Sequence, residues 1–451
     1  MNIPNQLLAL LCGALATAIL TTPARAQHGA MQHDKPMRSG DGMSGRMQGM
    51  SGMEGMMVFA GSPHTREASG TAWQPDSTPL HAYHMKLADW SVMTHFNAFF
   101  AYDKQWGRRG DDQFNSMNWF MLMASRPIGD GELMLRAMLS LEPATATSHG
   151  YPLLFQSGEA FHGRPLVDRQ HPHDLFMEMA ARYRYPLGEK TALSLYLAPA
   201  GEPALGPAAF MHRASAAENP ASPISHHWQD STHISFGVAT LGLSCDKFQL
   251  EGSIFNGREP DEDRWDIDSL QLDSYAARLS YNPTPNWSTQ VSYGYLQSPE
   301  ELHPGESLRR TTASVSYNRP LADGGNWATS LIWGHNDSTG LGTNAALLES
   351  NLNLAGKNTI FGRAEYVQKT GGDLVVPNER KKYGITQLTL GASHELTPGR
   401  PYSVALGASV TYTFKPSSLD DFYGDNPVGL WVFFRIRPSE MQHGSMQHSG
   451  K

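Results

Sequence analysis

The sequence contains little cysteine, little charge for its length and no long apolar run after its first 26 residues. Among 451 residues there are 2 Cys, 17% are charged and the formal net charge is -8. This balance provides no positive field for nucleic acid. No later stretch approaches the roughly 18 to 20 consecutive apolar residues of a membrane-spanning helix. The sequence also lacks Gly-x-Ser-x-Gly, His-Glu-x-x-His and phosphate-loop motifs. These absences disfavour a nucleic-acid-binding protein, a helical membrane protein and the enzymes that such motifs mark.

The first 26 residues have the features of a secretory signal peptide. Residues 7–20 are apolar, and Ala24-Arg25-Ala26 forms a small-x-small cleavage pattern. Cleavage after Ala26 would remove Cys12 and leave Cys245 as the only thiol, so the mature chain could form no intrachain disulfide. An exported chain without an apolar helix can cross a membrane only with strands.

Methionine and histidine are concentrated near the two chain ends. Residues 27–63 form a low-complexity segment in which Met residues are isolated among Gly and Ser, and residues 439–451 repeat its Met-Gln-His theme. Both segments are predicted to be disordered. Thioether sulfur suits Cu(I) and imidazole suits Cu(II), so the tails predict copper binding; the alternative is solubilising tails without a metal role. The predicted tail ligands are His28, Met31, His33, Met37, Met43, Met47, Met50, Met53, Met56, Met57, Met441, His443, Met446 and His448.

Between the tails, residues 90–438 alternate between apolar and polar side chains. Leu193, Leu195 and Leu197, for example, would face one side of a strand and Ser194 and Tyr196 the other. Such alternation over about ten residues is typical of a lipid-facing barrel wall. We predict an all-β, antiparallel transmembrane barrel with about sixteen strands, at 90–101, 114–125, 131–142, 173–186, 190–198, 231–245, 247–256, 270–282, 286–297, 308–319, 326–336, 345–354, 357–367, 384–395, 401–414 and 428–437.

The connections between these strands alternate in length. Short turns alternate with long loops at 102–113, 143–172, 199–230, 257–269, 298–307, 337–344, 368–383 and 415–427. This rhythm is typical of bacterial outer-membrane barrels, whose short turns face the periplasm. Residues 64–89 are interpreted as a periplasmic linker and 90–438 as the barrel, with both tails in the periplasm. A soluble β-sandwich or propeller is the alternative, but no blade-length repeat is visible.

The two longest loops carry histidines that suggest a second metal site. One contributes His171, His173 and Asp174, and the other His226 and His227. Two imidazoles in a His-x-His arrangement project to the same side of an extended backbone, with a carboxylate available beside them. Loops of this length could fold into the lumen and form a constriction. The alternative is that these histidines satisfy loop hydrogen bonds. The same loops also contain His212, Asp230 and, just beyond, His233.

Further soft ligands are expected inside the barrel wall. The predicted inward-facing set is Met93, His95, Asn97, Met134 and Met138. Such side chains could pass soft ions along the lumen, or could simply pack against an inserted loop.

An enzymatic interpretation depends on His233 and Ser235, two residues apart on a predicted strand. Outer-membrane phospholipases place such a pair on the lipid face. Here Ile234, Phe236 and Val238 are predicted to face lipid, which turns His233 and Ser235 inward. We therefore expect no enzyme.

Several motifs resemble those of a largely uncharacterised family of bacterial outer-membrane β-barrel proteins. They are Arg66-Glu67-Ala68-Ser69-Gly70-Thr71, Trp73, Pro75-Asp76-Ser77, Arg109-Gly110-Asp111-Asp112-Gln113, Arg136-Ala137-Met138-Leu139-Ser140-Leu141-Glu142-Pro143 and Asp168-Arg169-Gln170-His171-Pro172-His173-Asp174-Leu175. The resemblance covers most of the chain from about residue 64 and implies no activity. In layout alone, the chain is similar to copper-resistance outer-membrane proteins with a Met/His-rich amino-terminal segment.

Together these patterns predict an outer-membrane barrel that binds, sequesters or helps to export copper. The alternative is a porin-like channel for small solutes with no metal role. The expected partners are the outer-membrane bilayer, the barrel-assembly machinery and periplasmic copper carriers, with no nucleic acid. Copper is the expected ion, and the fold requires no cofactor.

Overall fold

The computed structural model describes residues 58–60 and 62–440, so the predicted signal peptide and the Met/His ligands of both tails lie outside the described residues. Sixteen long strands dominate the structure. They are β1 (Trp90–Trp106), β2 (Asp112–Ile128), β3 (Gly131–Leu139), β4 (Phe176–Gly188), β5 (Thr191–Gly201), β6 (Ser235–Cys245), β7 (Phe248–Phe255), β8 (Ser274–Thr284), β9 (Trp287–Gln297), β10 (Ser307–Pro320), β11 (Asn326–Ser338), β12 (Leu341–Leu354), β13 (Asn358–Thr370), β14 (Lys382–Glu395), β15 (Tyr402–Phe414) and β16 (Val428–Pro438).

Each strand pairs with the next in an antiparallel ladder, and the ladder closes on itself. The closing seam joins β16 to β1, from Val428 opposite Trp106 to Ile436 opposite Ala98. A short strand, Tyr83–Leu87, pairs with the beginning of β1 and extends this seam; we call it the seam strand. The predicted antiparallel barrel of sixteen strands is confirmed.

The outer surface of the wall is apolar and the inner surface is largely polar. On β5, Leu195 is 45% exposed whereas its neighbour Tyr196 is 1% exposed. Exposed aromatic side chains lie near the short turns, among them Tyr185, Trp287 and Trp327. Outward apolar side chains with an aromatic girdle form the lipid-facing surface of an outer-membrane barrel. The predicted location in a bacterial outer membrane is therefore confirmed.

Two of the predicted long loops are wrong. The loop predicted at 337–344 is only a two-residue turn, because β11 extends to Ser338 and β12 begins at Leu341. The loop predicted at 102–113 shrinks to residues 107–111 between β1 and β2. The backbone of the polar residues at these strand ends still pairs with the neighbouring strand. Polarity alone therefore placed the loop boundaries inside the strands.

A local irregularity places an apolar side chain in the interior against the alternation of its strand. The β3–β4 ladder shifts register between Phe176 and Glu178, and Met177 is buried. One extra residue in a strand inverts the facing of every side chain before it. Ile234, Phe236 and Val238 are also buried, so the prediction that they face lipid is wrong. Here β6 keeps a continuous register with β5, and these apolar side chains pack in interior clusters with residues such as Ala198 and Ala200.

The loops contain only short elements. The helices are Glu142–Thr145, His226–Gln229 and Asp420–Tyr423, with 3-10 turns at His64–Arg66, Phe210–His212, Ser231–His233 and Ser417–Leu419. Short strand pairs join Val58–Phe59 to Ser62–Pro63, Tyr151–Pro152 to Arg169–Gln170, and Glu159–Phe161 to Arg164–Leu166. In the part of the chain that the structure describes, every helix is too short or too polar to cross a membrane.

Candidate functional site

Residues 202–234, which connect β5 to β6, lie inside the barrel and contact its wall on many sides; we call them the septum. Four hydrogen bonds to wall side chains mark its course across the lumen. They join Ala204 N to Ser253 Oγ (2.7 Å), Gly206 N to Ser292 Oγ (2.8 Å), Ser215 Oγ to Ser330 Oγ (2.8 Å) and Trp228 Nε1 to Thr343 Oγ1 (2.8 Å). These partners lie on β7, β9, β11 and β12, so the septum reaches far beyond the two strands that it connects.

Buried ion pairs hold the septum in place. Arg213 lies 2.5 Å from Asp230, also in the septum, and 2.6 Å from Glu349 on β12. Glu218 lies 3.1 Å from Arg435 on β16. Burial alone would raise the pKa of Asp230, but the guanidinium of Arg213 lowers it overall. Because a buried charge without its partner is costly, these pairs favour one fixed position of the septum.

Residues 64–82, which the sequence predicts to belong to a linker, also pack against the wall; we call them the N-terminal segment. Glu67 lies 2.6 Å from Arg182 and 2.8 Å from Arg184, both on β4. Ser69 Oγ accepts a hydrogen bond from the backbone N–H of Ala209 in the septum (2.8 Å). The N-terminal segment therefore supports the septum from the side of the short turns.

A cavity opens towards each end of the barrel. The first, of about 1270 Å³, is lined by short-turn residues such as Gly324, Gly356 and Pro398, and we call it the periplasmic vestibule. The second, of about 780 Å³, is lined by long-loop residues such as Arg258 and His303, and we call it the outer vestibule. The septum contributes Arg213 to the first and His227 to the second, so it lies between them.

Soft and imidazole side chains lie where the periplasmic vestibule meets the septum; those of His95, Met121 and His212 line the cavity, and Met138 is buried beside them. His95 on β1 lies opposite Met121 on β2, which lies opposite Met138 on β3. His95 Nε2 is 2.9 Å from Met121 Sδ, and His212 Nε2, from the septum, is 3.4 Å from Met138 Sδ. We call these four residues the Met/His row. Two thioethers and two imidazoles are a ligand set that suits Cu(I).

Aromatic and further thioether side chains surround this row. The Trp119 ring centroid lies 5.1 Å from that of His95 and 4.7 Å from that of His212. Other vestibule-lining residues with soft or imidazole side chains are Met93, Met123, Met134, Met211, His64, His81 and His84. The inward-facing residues predicted from the sequence, Met93, His95, Asn97 and Met134, line this cavity. The sequence did not mark Met121 as a ligand, although it lies two residues from Trp119 and on the same side of that strand.

The long-loop histidines form a second, buried cluster on the other side of the septum. Neighbouring ring centroids are 5.1 to 6.0 Å apart. Each Nδ1 atom has a hydrogen-bonding partner: Pro172 O for His171 (3.1 Å), Glu142 Oε2 for His173 (2.9 Å), Asp230 Oδ1 for His226 (2.8 Å), Glu259 Oε1 for His227 (3.2 Å) and Asp230 O for His233 (2.8 Å). An oxygen acceptor at Nδ1 fixes the tautomer and leaves the lone pair on Nε2.

The five predicted loop ligands do not form one metal site. Asp174 pairs with Arg264 at 3.3 Å, and burial raises its pKa to about 6 against the effect of that arginine. His173 and His226 lie apart from this carboxylate, each bound to another. His171 and His227 instead converge on Glu159, whose carboxylate the sequence did not suggest as a ligand.

The outer vestibule is strongly acidic. Its lining includes nine carboxylate side chains and only three arginines. The carboxylates are Glu159, Glu259, Asp261, Glu262, Glu300, Glu301, Glu306, Asp373 and Glu379. A cleft lined by one sign of charge raises the local concentration of counter-ions, so this mouth attracts cations.

His233 and Ser235 do not form the pair that an esterase requires. His233 lies in a 3-10 turn rather than on a strand, and its Nδ1 donates to the backbone carbonyl of Asp230. Ser235 Oγ donates to the carbonyl of Thr232 at 3.1 Å. Both side chains are buried inside the barrel, away from lipid.

No protein-family model matches the sequence, and a search of curated proteins finds no match. Solved structures with a similar fold include an anion-selective porin from Comamonas acidovorans, with 11% identity, coverage of 77% of this chain and 99% of the porin, and a TM-score of 0.47. OmpF of Salmonella typhi has 10% identity, coverage of 78% and 100%, and a TM-score of 0.47. OpdQ of Pseudomonas aeruginosa has 11% identity, coverage of 78% and 99%, and a TM-score of 0.40. At these values the fold of this chain rests on its own strand pairing.

Proposed function

We propose that this outer-membrane barrel binds copper in its periplasmic vestibule and acts in copper sequestration, resistance or export. The observation that carries the proposal is the Met/His row, in which His95, Met121, Met138 and His212 meet at the septum. Thioether ligands select soft ions such as Cu(I), and imidazole accepts both copper oxidation states.

The spacing of the row supports the proposal. Bonds of roughly 2.0 to 2.3 Å, as zinc makes to nitrogen and sulfur, place tetrahedral ligand atoms roughly 3.5 Å apart. The separation between His212 Nε2 and Met138 Sδ, 3.4 Å, is close to that value, and that between His95 Nε2 and Met121 Sδ, 2.9 Å, is shorter. The rings of His95 and His212 lie 6.1 Å apart, so both pairs lie close enough to share one ion after small side-chain movements.

The Met/His-rich tails add to the proposal through their attachment points. His81 and Glu440 form a β-bridge, and both line the periplasmic vestibule. The carboxyl-terminal ligands from Met441 onwards follow directly. In this proposal the tails capture copper in the periplasm, or receive it from periplasmic copper carriers, and the Met/His row binds it at the septum.

The alternative, a porin-like channel for small solutes, is supported by the polar inner wall and by a cavity at each end of the lumen. The septum opposes it because buried ion pairs hold this loop across the lumen. Single-channel conductance of purified protein separates the two. A large, steady conductance that copper does not alter would favour the porin.

Silver titration of the full chain tests the copper proposal directly, because Ag(I) is a redox-inert substitute for Cu(I). We expect the double variant His95→Ala/His212→Ala to lose one tight silver equivalent, and His303→Ala, an exposed histidine in the outer vestibule, to retain it. A chain lacking residues 28–57 and 441–451 should lose the weaker equivalents. Unchanged silver binding and unchanged cellular copper sensitivity in both variants would contradict the proposal.

A further inference from the structure

Glu159, His171 and His227 bring three potential metal-ligand atoms together from two separate loops. These atoms all lie within 4.8 Å of one another, and His171 Nε2 is 3.1 Å from Glu159 Oε1. Tetrahedral zinc with bonds of roughly 2.0 to 2.1 Å places its ligand atoms roughly 3.3 Å apart. One distance already fits, and a modest rotation of the His227 ring would bring the others into range.

Both imidazoles are held in the orientation that a metal requires. His227 Nδ1 contacts Glu259 Oε1 at 3.2 Å, and His171 Nδ1 contacts the carbonyl of Pro172 at 3.1 Å. A carboxylate or carbonyl bound to the far nitrogen of a ligating histidine is the usual outer partner in zinc sites. His171 is 9% exposed and His227 6% exposed, yet the Nε2 atom of neither makes a hydrogen bond; the 3.1 Å approach of Glu159 Oε1 to His171 Nε2 is a close contact without hydrogen-bond geometry.

The two oxygen atoms of the Glu159 carboxylate have different neighbours. Its Oε2 atom lies 3.1 Å from Arg264, while Oε1 faces His171. The arginine fixes the plane of the carboxylate and leaves one oxygen directed at the two imidazoles.

A path for a cation leads to this site from outside. Glu159, His227 and Glu259 line the outer vestibule, whose excess of carboxylates attracts positive ions. Two imidazoles and one carboxylate leave the fourth position of a tetrahedral ion facing that cavity.

We propose that Glu159, His171 and His227 bind a borderline divalent ion such as Zn²⁺, which ties loop 140–175 to the septum. The site contains no thioether ligand, so its metal preference differs from that of the Met/His row. It is independent of the copper proposal, since the two sites lie on opposite sides of the septum. Glu259 is a positioning residue that acts through His227.

Zinc titration of the full-length, metal-free protein in detergent tests this site by calorimetry. We expect His171→Ala/His227→Ala to lose one zinc equivalent relative to wild type, while the tails remain the same in both proteins. Glu259→Gln should keep the equivalent but bind zinc about 10-fold to 100-fold more weakly. Wild-type protein should unfold at a higher temperature with zinc than without it, and the double variant should not.

His303→Ala is the matched control, because His303 is an exposed imidazole in the same vestibule. It should bind zinc as wild type does. Should the double histidine variant fail to fold, Glu159→Gln provides the test, since it preserves the side-chain shape. Equal zinc stoichiometry and affinity in wild type and Glu159→Gln would overturn the proposal, whatever silver does at the Met/His row.

Discussion

His95 and Met121 lie directly opposite each other on neighbouring strands, with His95 Nε2 2.9 Å from Met121 Sδ. Met121 in turn lies opposite Met138, so three soft or imidazole side chains form a transverse row on the inner wall. The septum brings His212 to the end of this row. Rigid strands therefore fix three of the four proposed copper ligands, and only one depends on a loop.

The substitution Met121→Leu should remove soft-metal affinity and keep the fold. Leucine conserves volume, so the cost to stability should stay below about 1.5 kcal/mol. We expect silver affinity to fall at least about tenfold, measured by competition titration in detergent. Met85→Leu, on the seam strand and 54% exposed, is the control and should bind silver as wild type does. Equal affinity in Met121→Leu and wild type would show that the thioether is not a ligand.

The substitution Arg213→Gln should loosen the septum. It removes the guanidinium shared by Asp230 and Glu349, and loss of one partner of a buried pair costs about 3 to 5 kcal/mol. We expect a lower unfolding temperature and a higher single-channel conductance. Arg309→Gln, which removes a 4.0 Å pair with Asp337 from a 62% exposed side chain, should cost at most about 1 kcal/mol. An equal effect of both variants would mean that the septum is not held by its ion pairs.

Glu202 should make the barrel less stable as pH rises. Burial raises its pKa to about 8, against the opposing effect of Arg278. A carboxyl whose pKa is higher in the folded than in the unfolded state contributes stability at low pH, and this is lost as pH rises towards 8. We expect the unfolding temperature of wild type to fall as pH rises from about 4.5 to about 8, and to level off above that value. Glu202→Gln should make this fall shallower; an equally steep fall would assign it to other groups.

The lipid-facing wall predicts a depth-dependent response to charge. Leu195→Arg, near the middle of β5, should cost about 2 to 4 kcal/mol, whereas Leu187→Arg, beside a short turn, should cost at most about 1 kcal/mol. Folding into vesicles of defined lipid, followed by heat-dependent gel mobility, measures both. Similar costs at the two positions would contradict the assigned position of the membrane.

Much of the fold could be predicted from the sequence because a barrel wall repeats one rule: apolar and polar side chains alternate along each strand. Predicted and observed bounds of β7, 247–256 and Phe248–Phe255, differ by one residue at each end. The rule failed where a bulge changes the phase, as at Met177, and where polar residues continue a strand, as before Ser338. Neither feature changes composition, so alternation alone could not reveal them.

The candidate sites were only partly predictable, because their residues meet through tertiary contacts. His171 and His227 were suggested by their loops, but Glu159 and Glu259 belong to segments with no metal-binding pattern. Met121 becomes a candidate only when strand register places it beside His95. Contacts between residues 32 or more positions apart, such as His227 and Glu259, depend on how loops pack inside the lumen.

The seam strand limits how the lumen could open, because it fixes the N-terminal segment to the barrel wall. Tyr83–Leu87 pairs with Trp90–Thr94 and continues the N-terminal segment that supports the septum. Withdrawing that segment would strip hydrogen bonds from the first stretch of β1 and leave its backbone groups unpaired. The N-terminal segment is therefore fixed to the wall through the seam strand. We therefore expect any opening of the lumen to come from movement of the septum while the sixteen strands stay paired.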